Sequence, residues 1–336
     1  MHTLEQQTDV DQQMLNEIYL ASRLMQEPES PVLETNITFD EILSSQLDAN
    51  VWLAQELHQP IGAHKIRGAY NFFQNMTSEE MGRGVVTASA GNHSQGIAMI
   101  SHRMGIRSSV FMPKCTPSNK VERAAELGGQ FTRIYLVGNN FDESQEHAQQ
   151  YAQETGGVFA SPFNDRRVIA GQGTWGLEIA EALSDIDLVF CPVGGMGTLA
   201  GIATAIMARQ PGAEIVAVEP KSAASLSLAY ELGKPYPLPE IDTFVDGAAV
   251  KKVGEIPFKI ASHLVSEVVT VSNLEVRRAT TSLRERKTPI LAELAGSMSV
   301  GGLLNKFAEE IKGKTAVCMI SGGNLRRDRY EREVKL

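Results

Sequence analysis

Four short stretches of the chain carry residues suited to chemistry. Lys65 stands in His64-Lys65-Ile66-Arg67-Gly68-Ala69-Tyr70-Asn71, and Ser89-Ala90-Gly91-Asn92-His93 comes next. Gly194-Gly195-Met196-Gly197-Thr198 follows the apolar run Leu188 to Val193, and Ser321-Gly322-Gly323-Asn324 follows Val317 to Ile320. They offer an amine that can condense with an aldehyde, a polar turn for a carboxylate, a glycine cradle for a phosphate and a hydroxyl for a ring nitrogen. An amine attacks a carbonyl only when neutral, so Lys65 needs burial or a nearby cation to lower its pKa. Arg67 is either that cation or a structural residue.

Each stretch also has a plainer reading. An isolated lysine is usually a surface residue, although Phe72-Phe73 close behind sets Lys65 near a packed element. The glycine loop fits a dinucleotide, because Gly195-Met196-Gly197 follows a strand and Glu219 ends the next one. It equally fits another phosphorylated cofactor or a tight turn, and the third glycine of a dinucleotide pattern falls one place late, at Gly201. Ser89 to His93 could simply cap a helix, or its free N–H groups could bind a carboxylate. His93 is a packed or capping residue before it is a general base. Ser321 opens an ordinary turn, placed where ligands bind in open α/β sheets. Order and spacing together suit pyridoxal phosphate.

The elements that must position these residues alternate along the chain. Strands are predicted at Val85–Thr87, Val110–Met112, Phe131–Val137, Leu188–Val193, Ile215–Glu219, Val268–Val271 and Ala316–Ile320. Helices are predicted at Asn92–Met104, Ser118–Leu127, Phe141–Thr155 and Leu199–Arg209. Such alternation implies an α/β fold with mainly parallel, open sheets covered by helices. Pro235 to Pro239 reads as an ordered loop. At 336 residues about two domains are expected. A net charge of -9 disfavours nucleic acid and anionic membranes as partners. Cys115, Cys191 and Cys318 lack metal spacing and suit a reducing compartment. The polar stretch Met1 to Asp11 shows no leader pattern, and no apolar run is long enough for a membrane span. Cytoplasm is the expected location.

The combination resembles the fold-type II pyridoxal phosphate enzymes (tryptophan synthase beta-like), specifically the threonine (serine) dehydratase branch. The likeness runs from about Glu17 to Tyr330. It rests on Lys65 to Asn71, Thr87 to His93, Val168 to Thr174, Phe244 to Lys251 and Ser321 to Asn324. It implies that Lys65 holds the cofactor and moves the α-proton. Asn92 would meet the ring's phenolic oxygen, and Gly194, Gly195, Met196, Gly197 and Thr198 the phosphate. Ser321 would face the pyridine nitrogen, with Glu293 touching the pocket, while Ser89, Ala90, Gly91 and His93 would hold the substrate carboxylate. It also implies a large domain of residues 1–86 and 164–336, a small domain of 87–163, and a homo-oligomer, dimer or tetramer.

The implied reaction is dehydration and deamination of L-threonine, with L-serine a second substrate, as in isoleucine biosynthesis. A hydroxyl cannot keep the pyridine nitrogen protonated as a carboxylate would, so expulsion of a β-leaving group is favoured. A related branch racemises serine with a serine hydroxyl where this chain has Ala90, so racemisation is disfavoured. Other readings are elimination or replacement on another β-substituted amino acid, a cofactor-binding homologue with little turnover, and a nicotinamide oxidoreductase.

The chain departs from the family at several points. Ala54-Gln55-Glu56-Leu57 stands for Lys-Arg-Glu-Asp, which implies lost support near the lysine. Ala63-His64 stands for Ser-Phe, which implies a more polar cofactor pocket. Met196 stands for a glycine and is expected to restrict the loop. Ser225 replaces an acidic ligand that relatives use with Glu219, so no metal is expected. Leu294 replaces a common proline. The chain ends twelve residues after Asn324, from which a form not inhibited by isoleucine is expected.

Overall fold

The computed structural model describes residues 10–336; residues 1–9, most of the polar stretch in which no leader is expected, lie outside the described residues. The chain begins with α1 (Gln12–Met25), β1 (Asn36–Phe39), α2 (Glu41–Leu47), β2 (Asn50–Gln55), α3 (Lys65–Gln74) and α4 (Ser78–Arg83). It continues through β3 (Val85–Ala88), α5 (Asn92–Met104), β4 (Ser108–Met112), α6 (Ser118–Gly128), β5 (Thr132–Leu136), α7 (Phe141–Thr155) and β6 (Val158–Phe159). Next come α8 (Arg166–Ala182), β7 (Leu188–Pro192), α9 (Gly197–Arg209), β8 (Glu214–Pro220), α10 (Ser225–Leu232) and α11 (Glu255–Ala261). Then follow β9 (Glu267–Val271), α12 (Asn273–Arg284), α13 (Leu294–Lys306) and β10 (Thr315–Ile320).

Two sheets result. The larger has the order β1-β2-β10-β7-β8-β9 and is parallel except for β1, which pairs antiparallel with β2. The smaller has the order β5-β4-β3-β6 and is parallel throughout. Side chains alternate across a strand, and the large sheet uses both faces. Val189, Cys191, Ile215, Ala217, Val317 and Met319 share a core cluster with Trp175 of α8 and with Ile202 and Ile206 of α9. Leu188, Phe190, Val216, Val218, Ala316 and Cys318 face a second cluster with α12 and α13. Burial on both faces is why these strands read as unbroken apolar runs.

The smaller sheet is thinner. Val86, Ala88 and Phe111 pack on Ala148 and Ala152 of α7, and Val110 and Met112 pack on Ala124 of α6. Gly156 ends α7 in the left-handed region at φ 72, where a side chain would be strained. Cys191 and Cys318 are buried, Cys115 is exposed, and all three are free. Among the described residues no helix is long and apolar enough to cross a membrane.

Three strands escape the sequence pattern. β1 has four half-exposed or exposed residues, β6 has only two residues, and β2 carries a short apolar run, Val51 to Ala54, between Asn50 and Gln55. Their pairing comes from the neighbouring strands rather than from their own periodicity.

Candidate active site

Lys65 opens α3, and two backbone links fix it beside the exit of β10. The His64 N–H donates to the Ser321 carbonyl at 3.0 Å, and Ala63 forms a bridge with Gly322. The Lys65 amine donates to the Pro162 carbonyl at 3.2 Å. The next residue, Phe163, lies across the glycine loop. A methyl group on Gly195 would enter the Phe163 ring, and one on Gly197 would lie 2.6 Å from the Phe163 carbonyl oxygen. The Pro162-Phe163 dipeptide therefore stands between the amine and the Gly194–Gly197 bend. Burial, opposed by the Glu293 carboxylate, lowers the half-buried Lys65 amine to about 8.

Arg67 does not supply that lowering. It is fully buried, with Nε 2.7 Å from Glu56 and a terminal nitrogen 2.7 Å from Glu178. Further bonds to Thr35 and Thr174 complete its shell, so Arg67 ties α3 to β2 and α8. Glu56 belongs to the stretch Ala54 to Leu57 where support was expected to be lost. Glu56, the residue of that stretch that the family pattern shares, supplies the pairing to Arg67, while Ala54, Gln55 and Leu57 bring no charge to it.

His64 also behaves differently from the expected polar cofactor wall. Its Nδ1 lies 2.9 Å from the Ser321 carbonyl and its Nε2 lies 3.0 Å from the Thr198 hydroxyl. The ring is buried, sits 5.6 Å from the Trp175 ring, and is pushed down to about 3 by burial and by Lys65. Its polarity is thus consumed by two specific bonds.

In the glycine loop Met196 occupies the left-handed region, at φ 71 and ψ -10. The backbone shape of a glycine is kept, at a strain of about 1–2 kcal/mol for a residue with a Cβ. The expected restriction falls on the backbone alone, since the Met196 side chain is buried in the core cluster with Leu199 and Ala200. α9 starts at Gly197 with no side-chain cap, so its first N–H groups are left for an anion.

The turn after β3 is built similarly. Gly91 is the N-cap of α5 and provides no side-chain bond, which sets aside the plain capping explanation. A methyl on Gly91 would meet nothing within 4 Å, so an open space fronts these N–H groups. Ser89 Oγ accepts from the Gly91 N–H at 3.2 Å, and Ser94 Oγ donates to the Gly91 carbonyl at 2.6 Å. Ala90 is half-buried and brings no acid or base.

His93 faces the other way. Its Nε2 lies 3.2 Å from the Ala160 carbonyl, its Nδ1 is buried without a partner, and burial with Lys65 holds it at about 3. Only its backbone N–H reaches the turn: Nε2 carries the proton given to Ala160, and the basic nitrogen, Nδ1, is buried without a partner.

Asn92, Glu293 and Asn324 form a chain. Asn92 Nδ2 donates to Glu293 at 2.7 Å, while Asn324 Nδ2 donates to Asn92 Oδ1 at 2.8 Å and to the Ile61 carbonyl at 2.7 Å. An amide has two N–H donors, so Asn92 keeps one for a ligand. Burial and Asp246 raise Glu293 to about 7, against the bond from Asn92. Glu219 is buried and receives the Leu226 N–H at 2.8 Å and the Ser227 N–H at 2.9 Å. It caps α10, with Ser225 in that helix's first turn.

Sequence reasoning missed Pro162, Phe163, the Asn324 side chain and the pairing of Glu178 with Arg67. The run Ser161-Pro162-Phe163-Asn164 just before α8 was the available signal for the first two. The assembled donors fit a pyridoxal phosphate. They include an uncapped helix behind a loop with no room for Cβ atoms, and a half-buried amine of lowered pKa.

A family model described as pyridoxal-phosphate dependent enzyme matches residues 30–322. The chain is 42% identical over 294 residues to an L-threonine ammonia-lyase of Geobacter sulfurreducens, covering 88% of this chain and 72% of that one. It is 39% identical over 294 residues to a biosynthetic L-threonine dehydratase of Halalkalibacterium halodurans, covering 87% and 70%. Among solved structures, the processed form of threonine deaminase isoform 2 from Solanum lycopersicum superposes with a TM-score of 0.88 at 34% identity, covering 96% and 93% of the two chains. A maize serine racemase superposes with a TM-score of 0.86 at 27% identity, covering 94% and 95%.

Proposed function

The chain belongs to the pyridoxal-phosphate dependent enzymes, and from that premise we propose that it dehydrates and deaminates L-threonine to a 2-oxo acid and ammonia. The observation that carries the proposal is the Lys65 amine, lowered to about 8 and bonded to the Pro162 carbonyl, one residue before the Phe163 that packs on the glycine loop. The likeness to an L-threonine ammonia-lyase over 88% of the chain supports the choice of substrate. L-Serine is a second substrate in this reading.

The cofactor, when bound, supplies an electron sink that acidifies the substrate's α-proton. The chain's own residues do the remainder. The neutral Lys65 Nζ takes that proton and can return it. Gly194, Gly195, Met196, Gly197 and Thr198 hold a phosphate through backbone N–H groups, and the spare Asn92 N–H serves a phenolic oxygen. Ser321 offers its hydroxyl to the ring nitrogen, and Glu293 holds Asn92 in place. The turn Ser89, Ala90, Gly91 and His93 orients the substrate carboxylate through the Ala90 and His93 N–H groups and the Ser89 hydroxyl, since the Ser89 N–H is spent on the Phe111 carbonyl and the Gly91 N–H on Ser89 Oγ. Ala90 brings no acid or base to the turn where the racemising branch has a serine, which favours elimination over racemisation.

We place the small domain at 87–163, around the smaller sheet, and the site between it and the rest of the chain. A homo-oligomer, dimer or tetramer, and a cytoplasmic setting complete the reading, the latter in keeping with three free cysteines.

The test is product analysis on cofactor-loaded protein. Release of 2-oxobutanoate and ammonia from L-threonine is expected. A protein that loads cofactor but turns over only another β-substituted amino acid overturns the substrate assignment. Formation of D-serine from L-serine at a rate matching elimination contradicts the role given to Ala90.

A further inference from the structure

Two bonds from one residue fill the Ser321 carbonyl. The His64 N–H donates to it at 3.0 Å, and His64 Nδ1 lies 2.9 Å from it. A carbonyl can only accept, so Nδ1 carries a proton. The ring is neutral: burial, Lys65 and Arg67 all disfavour its charge, and only the Ser321 bond favours it. A neutral imidazole with its proton on Nδ1 has a bare Nε2. The Thr198 hydroxyl, 3.0 Å from that nitrogen, must therefore donate to it.

This fixes the polarity of Thr198. Its one proton is spent on His64, and its oxygen has no second partner among the described residues. Thr198 is the second residue of α9, in the turn whose N–H groups are uncapped. Resting on the reading that this turn holds the cofactor phosphate, we propose that His64, acting through Thr198, gives the cradle an acceptor and so tightens the phosphate's hold on its last proton. Backbone N–H groups at a helix start favour the fully ionised oxygen, whereas a hydroxyl with only lone pairs free accepts a P–OH and repels an ionised oxygen, so Thr198 opposes them. His64 is a positioning residue here; it acts only through Thr198.

The groups facing His64 bear on this. Lys65 and Arg67 lie on its own helix, and Arg67 is neutralised by Glu56 and Glu178. The Ser321 carbonyl faces it from the exit of β10, the Thr198 hydroxyl from α9, and the Trp175 ring from α8. Lys65, with Glu293 acting against its charge, works against a proton on the phosphate, and the hydroxyl acceptor shifts the balance the other way.

The experiment is a phosphorus NMR titration of the holoenzyme, comparing wild type, His64→Phe, Thr198→Val and Thr198→Ser. A free phosphate monoester loses its second proton near about pH 6. Wild type and Thr198→Ser are expected to hold the monoanion signal about one pH unit higher than Thr198→Val and His64→Phe, a tenfold change in proton affinity. Thr198→Val is nearly isosteric and keeps the readout available where His64→Phe fails to fold. Identical titrations in wild type and Thr198→Val overturn the inference while leaving the cofactor assignment standing. A protein that binds no cofactor overturns both.

Discussion

Lys65 is charged below about pH 8 in the folded chain, whereas an unfolded lysine keeps its proton to about 10.5. Between those values the unfolded chain binds more protons, so apoprotein stability rises with pH across that window, and the full penalty persists below it. Lys65→Met should therefore stabilise the apoprotein at neutral pH by on the order of 2–3 kcal/mol while abolishing turnover. Denaturant melts of the two apoproteins check this, and equal midpoints would refute the burial of the charge. His64 and His93 act at the acid end. Each titrates near 3 when folded and 6.5 when free, so stability is lost as pH falls from 6.5 toward 3. The slope should approach ~1.4 kcal/mol per pH unit for each histidine, and His93→Gln should flatten it. Met196→Gly relieves left-handed strain but empties a buried site, and a net loss of about 1–2 kcal/mol is expected in the same assay.

At the scale of elements, the lysine depends on how closely α3 meets α8. A methyl on Gly171 would lie 2.5 Å from the Arg67 carbonyl oxygen, inside α3's own backbone. Gly171→Ala should push the helices apart, loosen Arg67 from Glu178 and misplace Lys65 at the start of the same helix. Weakened cofactor affinity together with a lower melting temperature is the expected pair of results; an unchanged protein would mean that the helices have slack. Much of this level was legible in the chain. α5 and α7 end where their apolar period, caps and glycines say they should, because those signals are local. The partners of Arg67 were not legible: Glu178 lies far along the chain, and a charged residue in an apolar helix announces burial without naming what neutralises it. His64 was misjudged for the same reason, since its partners Thr198 and Ser321 are brought to it only by the fold.

For the whole molecule, the parallel strands deliver Gly194 and Ser321 to one edge of the large sheet, and β3 delivers Ser89 from the small one. Ion pairs join the two parts: Lys120 of α6 meets Asp246 at 2.5 Å, and Lys251 meets Asp142 of α7 at 3.1 Å. Asp246 also pairs with Arg329 at 3.3 Å; against the effect of burial, Lys120 and Arg329 hold its carboxyl below the usual range. Asp246→Asn should strand Lys120 and Arg329 and raise the KM for amino acid more than it lowers kcat, because Asp246 reaches Lys65 only indirectly, through its charge on Glu293. A fall in kcat alone would place Asp246 in the chemistry instead. Alternation of short apolar runs with amphipathic helices made the sheet architecture readable. The juxtaposition of Pro162-Phe163 with the glycine loop was not, because packing of a loop against a loop leaves no period in sequence.

The central claim is that the Lys65 amine, and no other, takes the cofactor's aldehyde. Cofactor-loaded protein treated with borohydride and digested should carry the cofactor mass on the peptide containing Lys65, with loss of the visible absorption band. Label on any other lysine, or a band that survives in Lys65→Ala, contradicts the account.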